Sequence, residues 1–353
     1  MMASNTCKDK PTTFFYAALD CFKAAAENTG GTTDRTYNVA GHIIRMEFAS
    51  AAMIPFITSA VEHLRVENED EPALRICIWD STTTNSSMIP SPWTKEAFAQ
   101  HGYIPEYNTE RIYTIFQPGE DTLNMLDAQA NIAIFWRRNI DNVPFYTVGS
   151  PLRSIFHWWM HNNKRQLLHA AAAGHADGGV LIVGKGGSGK STTALSCLQS
   201  DLLYVGDDYT LLSLEPEPFV HSLYSTAKLN TGHIEQLPFL VPLTHNQQPS
   251  EEDKYVILLN QHHPEKISPG FPVKAIVMPR VSGRSETTFK RSSAAMALAA
   301  LAPSTLFQMT RGRSQSFQTL ATLARQLPAF VLECGTDIPQ IPGIINAILR
   351  QAT

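Results

Sequence analysis

Cysteine is scarce in this chain, and what little there is falls in no pattern. Five cysteines (Cys7, Cys21, Cys77, Cys197 and Cys334) are scattered over 353 residues with no C-x-x-C pair. That argues against a disulfide framework or a cysteine zinc site and for a reducing compartment. Charge is also sparse, at 17% of residues with a net charge of −4. Nucleic acid is therefore not expected as the main partner. Long hydrophobic runs are missing. The two most apolar stretches, near Ala51–Val61 and Ala294–Ala302, are too short to span a bilayer, and the stretch MMASNTCKDK lacks the apolar core of a signal peptide. Internal repeats, heptads and low-complexity tails are not seen either. The expectation is a cytoplasmic enzyme with no membrane partner, long enough for two domains.

What is present centres on Val180–Asp208, VLIVGKGGSGKSTTALSCLQSDLLYVGDD. Four apolar residues, Val180 to Val183, read as a buried strand. The segment Gly184–Ser191 fits the phosphate-loop pattern G-x-x-x-x-G-K-[ST], and Leu195 and Leu198 are spaced for the inner face of a short helix. Gly184, Gly186, Gly187 and Gly189 lack a Cβ, so successive amides can turn toward phosphate oxygens. Lys190 is expected to reach the β/γ-phosphates, and Ser191, followed by Thr192, to hold Mg²⁺. Ser188 lies within the loop. Lys185 either adds charge to it or faces solvent.

The following strand, LLYVG, delivers Asp207 and Asp208 together at its carboxyl end, where α/β sheets collect ligands, so both are expected to face the phosphates. One suits Mg²⁺; the other either accepts a hydroxyl proton or caps a helix or loop.

Before this core, the chain reads as an α+β module. A helix is predicted over Phe14–Ala26, a strand or hairpin arm over Tyr37–Phe48 with Gly41 as a turn or bulge, and a helix over Ala51–Leu64. Strands follow at Ala73–Trp79, Ile112–Gln117, Thr122–Leu126 and Asn131–Arg137, with Thr82–Pro92 as a loop. Ser150 and Pro151 predict a helix start, hydroxyl cap then proline, for PLRSIFHWWMHNN. Its His157 and His161, four apart, either form a ligand pair or lie satisfied on the surface; no third ligand is near. Leu167–Ala172 predicts one strand. Beyond the core, Thr244–Lys254 predicts a surface loop, Tyr255–Leu259 and Val273–Val277 strands, and Ala294–Leu301, Ser314–Leu327 and Pro342–Leu349 helices.

His169 precedes Lys190 by 21 residues, and Asp207 and Asp208 follow it by 17 and 18. With the G-x-x-x-x-G-K-S loop, these spacings resemble the core of HPr kinase/phosphorylase. The chain is similar above all to stand-alone HPr-kinase-like serine kinases, some of which tailor peptides, over about Pro151–Leu212. The resemblance implies an α/β fold: a phosphate-loop kinase core of the HPr kinase / phosphoenolpyruvate carboxykinase type over residues 149–353, after an α+β domain over 1–148 that recognises substrate or mediates assembly. It implies transfer of the γ-phosphoryl of ATP, with Mg²⁺, to a serine or other hydroxyl of a peptide or protein, and a homo-oligomer. Residue by residue, it makes Lys190 the phosphate holder, Ser191 a metal ligand, Asp207 the base, Asp208 a metal or histidine partner, and His169 a neighbour of the γ-phosphate. Thr192 stands where the family loop usually continues with Glu, and no L-E-I-R-G-type segment follows Asp208.

Lys254, Arg280, Lys290, Arg291, Arg311 and Arg313 are the candidate transition-state cations. A nucleotide-binding regulatory NTPase and a small-molecule kinase remain open alternatives. The sequence lacks transporter-ATPase, GTPase base-reading and eukaryotic protein-kinase signatures.

Overall fold

The computed structural model describes residues 9–68, 70–141, 143–246 and 254–352. They divide into two units. The first comprises residues up to Ile57, Arg65–Val143 and Leu152–Asn162; the second comprises Thr58–Leu64, Pro144–Pro151 and Asn163 onward. The class is mixed α/β. No helix among the described residues is long and apolar enough to cross a membrane. Cys21, Cys77, Cys197 and Cys334 are free thiols; Cys7 lies outside the described residues.

In the first unit the helix Lys10–Asn28 starts where Asp9 caps it, its Oδ1 accepting from the Thr12 amide at 2.8 Å. Phe14, Phe15, Ala18, Leu19, Phe22 and Ala25 recur at helical spacing and are buried against Trp79, Cys77 and Ile134. The sheet beneath contains β1 (Thr33–Val39), β2 (His42–Phe48), β3 (Leu74–Asp80), β4 (Ile112–Gln117), β5 (Thr122–Asp127) and β6 (Ile132–Arg137), in the order β1-β2-β3-β6-β5-β4. Tyr37–Phe48 is thus two strands, turning at Ala40–Gly41.

Several expectations need correction. Ala51–Leu64 is two 3₁₀ turns around a short helix, Ile54–Thr58, because Pro55 interrupts the amide ladder. Thr82–Pro92 opens within a helical turn, Ser81–Thr84, capped by Asp80. Ser150 caps nothing downstream: its hydroxyl donates to the Tyr146 carbonyl at 2.9 Å, Leu152 takes φ 54°, and the helix runs Arg153–Asn162. That helix belongs to the first unit, where Trp159 Nε1 donates to Asn131 Oδ1 at 2.8 Å, so residues 149–353 do not form one body. His157 on it is buried rather than on the surface, and no group of three or more His, Cys, Asp or Glu that could hold a metal occurs among the described residues.

The second unit contains β7 (Gln166–Leu168), β8 (Ala171–His175), β9 (Gly178–Ile182), β10 (Leu203–Gly206), β11 (Thr210–Ser213), β12 (Phe219–Ser222), β13 (Thr226–Asn230), β14 (Lys254–Leu258), β15 (Gly270–Val281), β16 (Thr288–Ser292) and β17 (Ala329–Cys334). The main sheet runs β10-β8-β9-β15-β12-β11-β7, with β17 also against β15 and β16 against β17; β13 and β14 form a separate pair. Val180 and Ile182 face a layer built on the helices Lys190–Ser196 and Ile341–Ala352, through Ala194, Leu195 and Ile345. Leu181 and Val183 face the opposite layer, on Ala294–Phe307 and Arg313–Gln326, through Leu301, Leu320 and Leu323. Burial on both faces explains the unbroken apolar run.

Leu320 is fully buried in that second layer. Leu320→Ala is expected to cost about 2–5 kcal/mol, read as a lowered urea midpoint at unchanged slope. A second stability effect comes from His63, whose Nε2 lies 2.8 Å from Ser222 Oγ while its buried Nδ1 has no partner. Burial lowers its pKa from 6.5 to about 4. The unfolded chain then binds the proton first, so this contribution is full above pH 6.5 and fades as pH falls toward 4. In His63→Gln the pH dependence of the unfolding free energy from urea titrations across that window should flatten by up to about 1.4 kcal/mol per pH unit.

Candidate functional site

Strand direction brings the site together. β15 is parallel to β9 and β17, while β8 is antiparallel to both β9 and β10. It follows that β9, β10, β15 and β17 all point the same way, and their carboxyl ends share one edge. At that edge lies a cavity of about 590 Å³, bordered by Gly186, Lys190 and Ser191 after β9, Asp208 after β10, Val281 on β15 and Gly335–Pro339 after β17. His169, Lys228, His233 and Lys254 also border it.

Three of the four loop glycines use the left-handed region, Gly184 at φ 151°, Gly187 at 75° and Gly189 at 103°. Lys190 follows as the first residue of its helix and is buried. Its Nζ donates to the Gly184 carbonyl at 2.8 Å and the Lys185 carbonyl at 3.2 Å. Burial lowers its pKa, against the pull of Asp207 and Asp208. Gly186, Gly187, Gly189, Lys190, Ser191 and Thr192 border the cavity, whereas Gly184, Lys185 and Ser188 do not. Lys185 is exposed, which settles its side chain toward solvent.

The predicted single strand Leu167–Ala172 breaks at His169–Ala170, because β7 pairs with β11 while β8 pairs with β9 and β10. His169 is thereby released from the ladder. Its amide donates to Thr305 Oγ1 at 3.2 Å, and its Nε2 stands 2.9 Å from Asp208 Oδ1. Its buried Nδ1 has no partner. Asp208 is held on its other oxygen by Lys228 Nζ at 3.2 Å. Burial alone would raise the Asp208 pKa; the Lys228 charge, then the His169 hydrogen bond and charge, outweigh it and hold the carboxyl well below the usual range.

The two acids do not share one environment, as both facing the phosphates would require. Asp208 borders the cavity, while Asp207 sits beneath it at 2% exposure. Asp207 Oδ2 accepts from the Lys228 amide at 3.3 Å, and its Oδ1 has no hydrogen-bond partner. Burial first, then the neighbouring Asp208 charge, push its pKa up to about 6, with the Ser191 hydroxyl and the Lys228 amide pulling the other way. So Asp208 has a donor on each oxygen and a carboxyl held low, whereas Asp207 has its carboxyl pushed up and one buried oxygen without a hydrogen-bond partner.

Of the six candidate cations, only Lys254 borders the cavity. Lys290 pairs instead with Glu333 at 2.6 Å, and Arg313 Nε donates to the Met309 carbonyl at 2.9 Å. The cation that the structure does bring to the acids, Lys228, stands in the unremarkable sequence STAKLN, where no motif or spacing marks it. His233 and the wall after β17 were equally unmarked. Most of the polar stretch Thr244–Lys254 lies outside the described residues.

Compared with protein-family models and with curated proteins, the chain matches none, so the geometry carries the functional reading.

Proposed function

We propose that this protein is an ATP- and Mg²⁺-dependent phosphotransferase, its second unit a phosphate-loop kinase core, acting on a serine or other hydroxyl of a peptide or protein. The observation that carries this reading is the convergence of His169, Asp207, Asp208 and the Gly184–Ser191 loop at one sheet edge, around a cavity of about 590 Å³. A loop that only holds nucleotide needs one carboxylate. Two acids in opposed protonation environments, one tied to an imidazole, are what acid–base chemistry beside a phosphate requires.

In this reading the loop amides and Lys190 receive the phosphates. The oxygens that would turn to a divalent cation, Ser191 Oγ and the Asp208 carboxylate, are hard donors that would share it with their present partners, and the balance would come from phosphate and water, as Mg²⁺ prefers. When bound, the ion neutralises phosphate charge. The acceptor oxygen forms its bond to the γ-phosphorus as the bond from that phosphorus to the β–γ bridging oxygen breaks, and ADP leaves. The hydroxyl proton passes to Asp207 Oδ1, through one water because Asp207 lies beneath the cavity wall. Asp208 keeps His169 in the Nε2–H tautomer, since an ionised carboxylate can only accept.

Titration of the full chain with Mg-ATP, followed by mass spectrometry of candidate acceptor peptides incubated with both, tests the reading. Micromolar binding and an acceptor heavier by one phosphate are expected. Absence of binding ends the proposal; binding with slow hydrolysis and no transferred phosphate would favour a regulatory NTPase.

A further inference from the structure

Lys228 is a buried cation that the transfer scheme above does not use. Its side chain is 5% exposed, and burying an ammonium costs several kcal/mol before any partner offsets it. The surroundings form a built slot. Its Nζ donates to Ser150 Oγ at 2.8 Å and to Asp208 Oδ2 at 3.2 Å, and lies 5.7 Å from the Tyr209 ring centroid. Gly149 leaves the space: a Cβ there would stand 2.6 Å from Lys228 Cε. A buried pair kept for stability alone is a poor bargain, because an apolar side chain of similar volume usually serves as well.

The same residue reaches the other acid through its backbone, the Lys228 amide donating to Asp207 Oδ2 at 3.3 Å. Four carboxylate oxygens therefore have unequal fates. Asp208 Oδ1 goes to His169, Asp208 Oδ2 to the Lys228 ammonium and Asp207 Oδ2 to the Lys228 amide, leaving Asp207 Oδ1 without a donor. We propose that Lys228 is a positioning residue for phosphoryl transfer, clamping one oxygen of each acid so that a single carboxylate oxygen is left open to the acceptor proton. This rests on the phosphotransferase reading. The strand β13 supplies both grips: the amide and the side chain of one residue act on neighbouring acids at the end of β10.

The test uses the full chain, ATP and Mg²⁺, and reads γ-phosphoryl transfer to water together with ATP affinity. Lys228→Ala should bind Mg-ATP within about threefold of the parent while kcat falls about 10²-fold, the cost of misplacing reacting groups. Lys228 borders the cavity, so the space left by its side chain is open to solutes. Ethylammonium should accordingly restore at least about tenfold of the loss with saturation, and ethanol at equal concentration should not. Lys228→Met, which fills the slot without charge, should show the same kcat loss with no response to amines. It also covers the case in which the alanine variant does not fold. Gly149→Ala, which crowds the lysine while leaving its charge, should lower kcat in the same direction. A kcat unchanged in Lys228→Met, or losses that track only the folded fraction with no amine response in a folded Lys228→Ala, would overturn the assignment while the parent still transfers phosphate. A parent that neither binds nor cleaves ATP would instead overturn the phosphotransferase reading itself.

Discussion

Lys190→Ala is expected to weaken Mg-ATP binding by at least about 10²-fold and to leave no measurable transfer. The side chain has two duties. Its ammonium ties the Gly184 and Lys185 carbonyls at 2.8 and 3.2 Å, which shapes the loop, and it is a buried positive charge bordering the cavity. Alanine removes the charge and orphans two carbonyls, and charge-assisted hydrogen bonds count for about 1.5–3 kcal/mol each. Isothermal titration of both proteins measures it. Lys190→Arg should not restore affinity, since the larger planar group does not fit a site built around a point donor. An alanine variant binding within threefold of the parent would remove the loop from the site.

Asp207→Asn should do the reverse: ATP affinity within a few fold and transfer lower by about 10² to 10³-fold. The carboxamide keeps shape and the Lys228 amide contact but cannot take a proton. Asp208→Asn is expected to differ: it weakens a proposed cation ligand, which lowers affinity, and loosens His169 and Lys228, which lowers the rate. The pH dependence follows the same logic. Asp207 is raised to about 6, by burial and then by Asp208. A base works only when ionised, so the parent's transfer rate should climb about tenfold per pH unit below that value and level off above it. Asp207→Asn should lose that acid limb along with most of the rate. Stopped assays from pH 5 to 8 with both proteins decide it; an undiminished Asp207→Asn rate would move the base elsewhere.

Much of this site could be read from the chain alone because its parts are local. The glycine loop, its preceding strand and the helix behind it are contiguous, and their register fixes Lys190 and Ser191 without tertiary information. His169 was reachable only through its spacing from the loop, since nothing in LLHAAA says that the strand breaks there. That break is a matter of which neighbours β7 and β8 find, which is a property of the sheet. The unequal fates of Asp207 and Asp208 were illegible for the same reason, as adjacent residues of one type differ only in what packs on them.

Lys228 shows the limit more sharply. It sits on β13, outside the main sheet, and reaches the acids by a route no periodicity encodes. Elsewhere, Pro55 overrode a helical pattern, and Ser150–Pro151 imitated a helix start while Ser150 was held by Tyr146 and Lys228.

Because β9, β10, β15 and β17 finish on a common rim, most of the candidate site and the scaffold that keeps it upright occupy different addresses in the chain, Lys228 on β13 being an exception. The interiors of those four strands can drift within hydrophobic limits without touching the cavity, and the short connectors beyond the rim can be exchanged without unsettling the layers. A molecule arranged in this way can have its cavity reshaped by editing a few loops, its frame left as it was.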